Sequence, residues 1–149
     1  MTGPSGFLLD TNIVLYATRP GHRVGEAIDT RFGLSASRFR PAISEITVAE
    51  LLAFSRGWGE TRRELLRAQI EKSLVILISQ PDIHQRWAEI SSALRSAGIT
   101  IGQNDIWIAA TASVAGLTLL TTDKDFLQMQ RVVRFELCVL DARTGAPLT

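Results

Sequence analysis

Short uninterrupted apolar runs alternate along this chain with longer stretches in which apolar positions recur every three or four residues. The runs are Phe7–Leu9, Pro41–Ser44, "VILIS" at 75–79, "LTLLTT" at 117–122 and "CVLD" at 138–141. Runs this short and continuous predict buried strands of a parallel sheet, the last one at an edge. The periodic stretches predict helices. Thr11 to Ala17 is the first, with Thr11 or Asn12 as its cap, and Arg19-Pro20-Gly21 breaks it. Val24 to Phe32 is the second. "TVAELLAFSR" at 47–56 is the third, capped by Ser44 or Thr47. After the turn Gly57-Trp58-Gly59, Leu65, Leu66, Ile70 and Leu74 share one face of an amphipathic stretch. Ile83, Trp87, Ile90 and Leu94 do the same between Pro81 and Ala97, which Gly98 closes. A nearly uncharged helix runs from Asn104 to Gly116. "DKDF" reads as a loop or short turn, and the tail "RTGAPLT" as loosely ordered. Strands alternating with helices make this a three-layer α/β domain around a mainly parallel sheet. No repeat or linker divides residues 1–149, and the core runs from about 7 to 140.

Composition narrows the class. A hydrophobic fraction of 46% supports a real core, and 21% charge is ordinary. The net charge of +1 leaves no strong global field to draw in nucleic acid. The basic residues are 14 arginines and two lysines. That bias reads equally as bidentate phosphate recognition or as genomic codon usage. Cys138 is the only cysteine, so an intrachain disulfide and a cysteine-rich zinc site are excluded. "MTGPSG" has no basic n-region, and the uncharged run Ile106–Leu120 falls short of the roughly 20 residues of a membrane helix. The expectation is a cytoplasmic protein.

Within these apolar elements a few acids stand alone. Asp10 is the only ionisable side chain before Arg19 apart from the aromatic Tyr16, and Glu50 is the only charge between Glu45 and Arg56. Ile106 to Thr122 carries no charge at all and is bracketed by Asp105 and Asp123. Asp10 and Asp123 follow strands, Asp105 opens a helix and Glu50 lies early in one. In an open α/β sheet the carboxyl ends of the strands share one rim, where ligands bind. Singly, Asp10 and Asp105 read as well as helix caps or first-turn acids, and Asp123 and Asp125 as turn residues. Jointly, they form a cluster that would repel itself and partly protonate without a cation. Oxygen-only ligands suit Mg²⁺ or Mn²⁺. His22 and His84 lack the spacing of a zinc pair and read as surface or helix-flank residues. Asp29, Glu60, Glu64 and Glu71 sit among other charges, as on a solvated face.

With these pieces in place, the chain resembles a PIN-domain ribonuclease of the VapC toxin type. The matching motifs are "FLLDTN", "ISEITVAELL", "NDIWIAATA" and "LLTTDKDF", in the family's order, across about Phe7 to Leu140. The resemblance implies a Rossmann-like PIN fold and a metal-dependent endoribonuclease. Its acids fall on Asp10, Glu50, Asp105 and Asp123, which are the catalytic and metal-binding candidates. Asp125 competes with Asp123, which is preferred as nearer the strand end. Thr11, Asn12 and Thr121 fall on hydroxyl and amide positions beside the metal or phosphate, although capping explains each alone equally well. The resemblance also implies a VapB-like antitoxin, a homodimer and a transfer or ribosomal RNA substrate.

The implied chemistry is water-driven phosphodiester hydrolysis with one or two Mg²⁺ or Mn²⁺ ions. Asp10, Asp105 and Asp123 would hold metal, and Glu50 would hold a second ion or orient water. Arg19, Arg23, Arg38 and Arg40 are candidates for holding the RNA backbone, each with a solvated face as the simpler reading. Trp58, exposed on a helical hairpin, is a candidate antitoxin contact, while Trp87 and Trp107 read as core. Three rivals make different demands. An aspartate-based phosphatase would have an acid where Asn12 stands. A receiver module would need an Asp ending "VILIS" and a Lys ending a later strand. An inactive interaction module would have no use for the intact acid set.

Overall fold

The computed structural model describes residues 6–35 and 40–148. Its elements, in chain order, are β1 (Phe7–Leu9), α1 (Thr11–Ala17), α2 (Arg23–Phe32), β2 (Ala42–Ser44), α3 (Glu45–Ser55), α4 (Glu60–Lys72), β3 (Leu74–Ile76), α5 (Pro81–Ser96), α6 (Gln103–Ala115), β4 (Thr118–Thr121), α7 (Asp125–Gln130) and β5 (Leu137–Val139). The strands form one sheet in the order β3-β2-β1-β4-β5, and every pairing is parallel. Leu9 of β1 is in register with Leu120 of β4. The chain builds outward from β1 to β2 and β3, then crosses back to place β4 on the other side. The direction of winding therefore reverses between β1 and β4. A crevice opens at their carboxyl ends, and Asp10 and Asp123 follow those ends.

Alternation along the strands divides the core into two halves. Leu8, Ala42 and Leu119 pack with Ile90, Leu94 and Ile108 of α5 and α6. Leu9, Ile43 and Leu120 pack on the opposite face with Ile13, Ile28 and Leu66 of α1, α2 and α4. The helix α3 serves both halves, since Ile46 joins the first and Leu51 the second. Among the described residues, no helix is long and apolar enough to cross a membrane.

Several boundaries differ from the sequence expectation, each for a local reason. The cap of α1 is Asp10 rather than Thr11 or Asn12: its backbone is extended and its carboxylate accepts from the Thr11 N–H. Of the two caps expected for α3, Ser44 is the one used, its hydroxyl accepting from Ile46 N. "DKDF" is not only a loop, because Asp125 begins α7, anchored by Phe126 and Met129 in the core. The third strand ends at Ile76, since the Ile78 N–H leaves the ladder for the Glu45 carboxylate. The tail folds back along the sheet. Leu140 bridges Pro147, and Leu148 N donates to the Val139 carbonyl, so the tail covers the free edge of β5. Trp58 is half-buried rather than exposed, with the Arg62 guanidinium 3.5 Å over its ring. Trp87 and Trp107 stack at 5.3 Å on the flank of the first core half.

Candidate metal centre

Asp10 enters the crevice because β1 hands directly to α1 there. Its Oδ1 accepts from Thr11 N at 2.8 Å and its Oδ2 from the Thr121 hydroxyl at 2.6 Å. The Thr121 hydroxyl in turn accepts from Asp123 N at 2.9 Å, so one buried side chain ties the first acid to the fourth. Asp10 is only 5% exposed. Burial pushes its pKa up from 3.8 to about 6; its two hydrogen bonds oppose the rise, and the charges of Glu50 and Asp123 add to it.

Asp105 lies in the first turn of α6. Burial, followed by the charges of Asp10, Asp123, Glu50 and Asp125, carries its pKa from 3.8 to about 7. Hydrogen bonds bring the other acids to the same crevice: Thr121 joins Asp10 to Asp123, and Glu50 is bonded by Thr11 beside Asp10 and by Asn104 beside Asp105. Carboxylate oxygens of Asp105, Asp123 and Asp125 lie within 4.8 Å of one another. Asp125 thus belongs to the tightest group together with Asp123, and its N–H donates to Asp123 Oδ1 at 2.9 Å. Asp10 and Glu50 flank this trio.

Glu50 projects from α3. The Thr11 hydroxyl donates to its Oε1 at 2.6 Å, and the Asn104 amide donates to its Oε2 at 3.3 Å. Asn12 faces the same crevice from the other side, its Oδ1 accepting from Thr122 N at 3.4 Å. Asn104 has no role in the sequence reading, and Thr47, whose hydroxyl lies 3.1 Å from that of Thr11, figures there only as a candidate cap. Both carried a signal there: Thr47 precedes Glu50 by one helical turn, and Asn104 adjoins Asp105.

No basic side chain neutralises this group among the described residues. The ion pairs present there, Arg67–Glu64 and Arg86–Glu89, lie elsewhere. Arg40 is not at the crevice: it precedes β2, at the opposite end of the sheet. Its guanidinium donates to the carbonyls of Lys72, Ser73 and Glu71, closing the end of α4. The local geometry explains this, since α4 ends beside the start of β2 with its last carbonyls unpaired. Arg19 lies in the turn between α1 and α2, its N–H donating to the Tyr16 carbonyl and its carbonyl accepting from His22 N. Arg23 opens α2, and Arg38 is outside the described residues. His22 caps α2 through Nδ1 and stacks on Tyr16, while His84 meets the edge of Trp107; neither stands among the acids.

The donor set fits a hard divalent cation. It offers carboxylate oxygens from three positions within reach of one ion, with two further acids alongside and, among the described residues, no basic side chain in an ion pair with them. Across residues 7–132 the chain matches a known family, the PIN domain. The chain is a PIN domain of the VapC type. It is 35% identical over 130 residues to Ribonuclease VapC2 of Haemophilus influenzae, covering 85% of this chain and 92% of that protein. It is 32% identical over 111 residues to Ribonuclease VapC4 of Mycobacterium tuberculosis, covering 67% and 85%. In structure, this PIN domain resembles a chain of VapBC2 from Rickettsia felis, solved bound to a promoter DNA fragment. The TM-score is 0.74 at 25% identity, with 91% of this chain and 98% of that chain covered. A VapBC chain from Salmonella typhimurium gives 0.71 at 25% identity, with 89% and 96% covered.

Proposed function

We propose that this PIN domain is an endoribonuclease that hydrolyses RNA phosphodiester bonds with Mg²⁺ or Mn²⁺ and acts as the toxin of a toxin–antitoxin pair. The observation that carries the reading is the set of five acids around the crevice between β1 and β4, with no basic partner among the described residues. A receiver module is disfavoured by topology as well as sequence, because β3 lies at the sheet edge and ends at Ile76 without an acid.

Asp105, Asp123 and Asp125 would hold the cation. Bound there, it supplies Lewis acidity at a phosphate oxygen and a water of lowered pKa. Asp10 is fixed by Thr121 and the Thr11 N–H, so its carboxylate keeps one orientation as the fourth wall. Glu50, held by Thr11 and Asn104, is placed to orient the attacking water and accept its proton. Water oxygen bonds to phosphorus as the P–O3′ bond breaks, and the leaving O3′ takes a proton from solvent, giving a 5′-phosphate and a 3′-hydroxyl. The RNA 2′-hydroxyl takes no part. Asn12 is placed to help hold the phosphate, and Arg19 and Arg23 remain candidates for the backbone beyond it.

The reading places the protein in the cytoplasm, as a homodimer with a VapB-like antitoxin, acting on transfer or ribosomal RNA. Solved relatives with this fold are VapBC complexes, which supports the antitoxin. The hairpin between α3 and α4, carrying Trp58 under Arg62, is the antitoxin contact in this scheme. The test is cleavage of total bacterial RNA by purified, antitoxin-free protein with Mg²⁺, Mn²⁺ or EDTA, beside Asp105→Asn. Metal-dependent cleavage that the variant lacks is expected. Products with 2′,3′-cyclic phosphate ends would refute the mechanism.

A further inference from the structure

Glu50 is the acid of this group held by side chains from two other helices. It is also the one with the longest side chain, and therefore the one most easily displaced. Its carboxylate shares the crevice with those of Asp10 and Asp105, so like charges would drive it outward if nothing held it. Two neutral donors oppose that push from different directions. On one side Thr11 of α1 donates its hydroxyl proton to Oε1 at 2.6 Å. The Thr47 hydroxyl, 0% exposed, stands 3.1 Å from that of Thr11. Thr11 has a single proton and spends it on the carboxylate, so Thr47 donates to Thr11. On the other side Asn104 Nδ2, on α6, donates to Oε2 at 3.3 Å.

We infer that Asn104 is a positioning residue for the hydrolytic reaction, holding the second oxygen of Glu50 across the crevice so that the carboxylate faces the metal-binding trio. Asn104 and Asp105 are consecutive in the first turn of α6. One turn of one helix thus sets both a metal ligand and the orientation of the acid opposite it. Asn suits the position because its amide is a neutral donor. A lysine would neutralise Glu50, and an aspartate would repel it. The inference rests on the proposed RNA hydrolysis for its kinetic consequence and on geometry alone for the contact.

The experiment is a pair of double-mutant cycles on Asn104→Ala and Glu50→Gln. In RNA cleavage with Mn²⁺, Asn104→Ala is expected to lower kcat about tenfold, with KM and the Mn²⁺ affinity of the protein unchanged. In the Glu50→Gln background the same change is expected to alter kcat less than about twofold, because the residue it acts through is already altered. Asn104→Asp is expected to be less active than Asn104→Ala. With saturating Mn²⁺, which offsets the acid cluster, it should nevertheless melt no lower, because an acid in the first turn of a helix favours the helix dipole. A residue that served only the fold would order activity and melting together. The second cycle reads melting temperature in EDTA, where non-additive shifts report the contact whether or not RNA is cleaved. Equal losses of kcat in both backgrounds, a rise in KM alone or additive melting shifts would each overturn the assignment. Coupled melting in a protein that cleaves no RNA would uphold the contact and reject the nuclease reading instead.

Discussion

Replacing Asp105 by asparagine is expected to stabilise the metal-free protein while abolishing its activity. A pKa carried from 3.8 to about 7 corresponds, at about 1.4 kcal/mol per pH unit, to about 4 kcal/mol of penalty on the ionised folded state. Asp105 is only partly buried, and solvent screening brings this to about 2 kcal/mol. Loss of a first-turn acid from α6 returns about 0.5 kcal/mol of that. The net gain of roughly 1–2 kcal/mol should raise the melting temperature by about 3–6 °C for a domain of this size. The sign follows from linkage. Between about pH 4 and 7 the folded protein binds more protons at this site than the unfolded chain, so stability falls as pH rises through that window. The amide that replaces the carboxyl has no such proton to lose. The variant's advantage should therefore be full at pH 8 and vanish by about pH 4. The assay is thermal melting in EDTA at pH 4, 6 and 8, repeated at pH 8 with Mn²⁺. Added Mn²⁺ should reverse the order, because an ion at about 100 times its Kd stabilises the wild type by about 2.7 kcal/mol. A variant that melts below wild type at pH 8 in EDTA, or an advantage unchanged at pH 4, would refute the idea that an uncompensated cluster raises this pKa.

Thr121→Val keeps the shape of a fully buried side chain but removes the donor to Asp10 and the acceptor from Asp123 N. A loss of about 2 kcal/mol in urea unfolding is expected, and a loss below about 0.5 kcal/mol would show that the tie is idle. Gly25→Ala, ordinarily favourable by about 1 kcal/mol in a helix, should lower the melting temperature here. A Cβ at that position collides with the Tyr16 carbonyl oxygen where α2 crosses the end of α1, so any stabilisation would contradict the packing. Arg40→Ala should cost about 1 kcal/mol through lost contacts to the end of α4. It should leave RNA affinity unchanged, measured by fluorescence anisotropy in the inactive Asp105→Asn background; weakened binding would return Arg40 to the RNA surface.

Where the sequence left two readings of an acid, the structure combined them. Asp10 occupies the cap position of α1, yet its second oxygen faces the crevice through Thr121. Asp105 is a first-turn acid of α6 and is also pushed towards protonation, by burial first and then by the charges of its neighbours. A strand-to-helix junction has an extended residue followed by unpaired N–H groups, so a carboxylate there can cap and still offer an oxygen outward. The choice between Asp123 and Asp125 was not legible, because it depends on where α7 begins. Once Asp125 opens that helix, both carboxylates turn to the same side. The arginines were equally opaque. Nothing near Arg40 in the chain shows that the end of α4 would lie beside it.

By itself, the sequence determined the strand-and-helix alternation, the parallel sheet and the identity of the four solitary acids. Those depend on hydrophobic periodicity and on the cost of placing charge in apolar segments, both of which are local along the chain. Tertiary structure alone decided which donors hold those acids. The Thr121–Asp10 bond spans 111 residues and the Asn104–Glu50 bond spans 54. A hydrogen bond or a repulsion between carboxylates depends on distances of a few ångströms. Those distances exist only after β1 and β4 have paired and α3 and α6 have packed across the crevice.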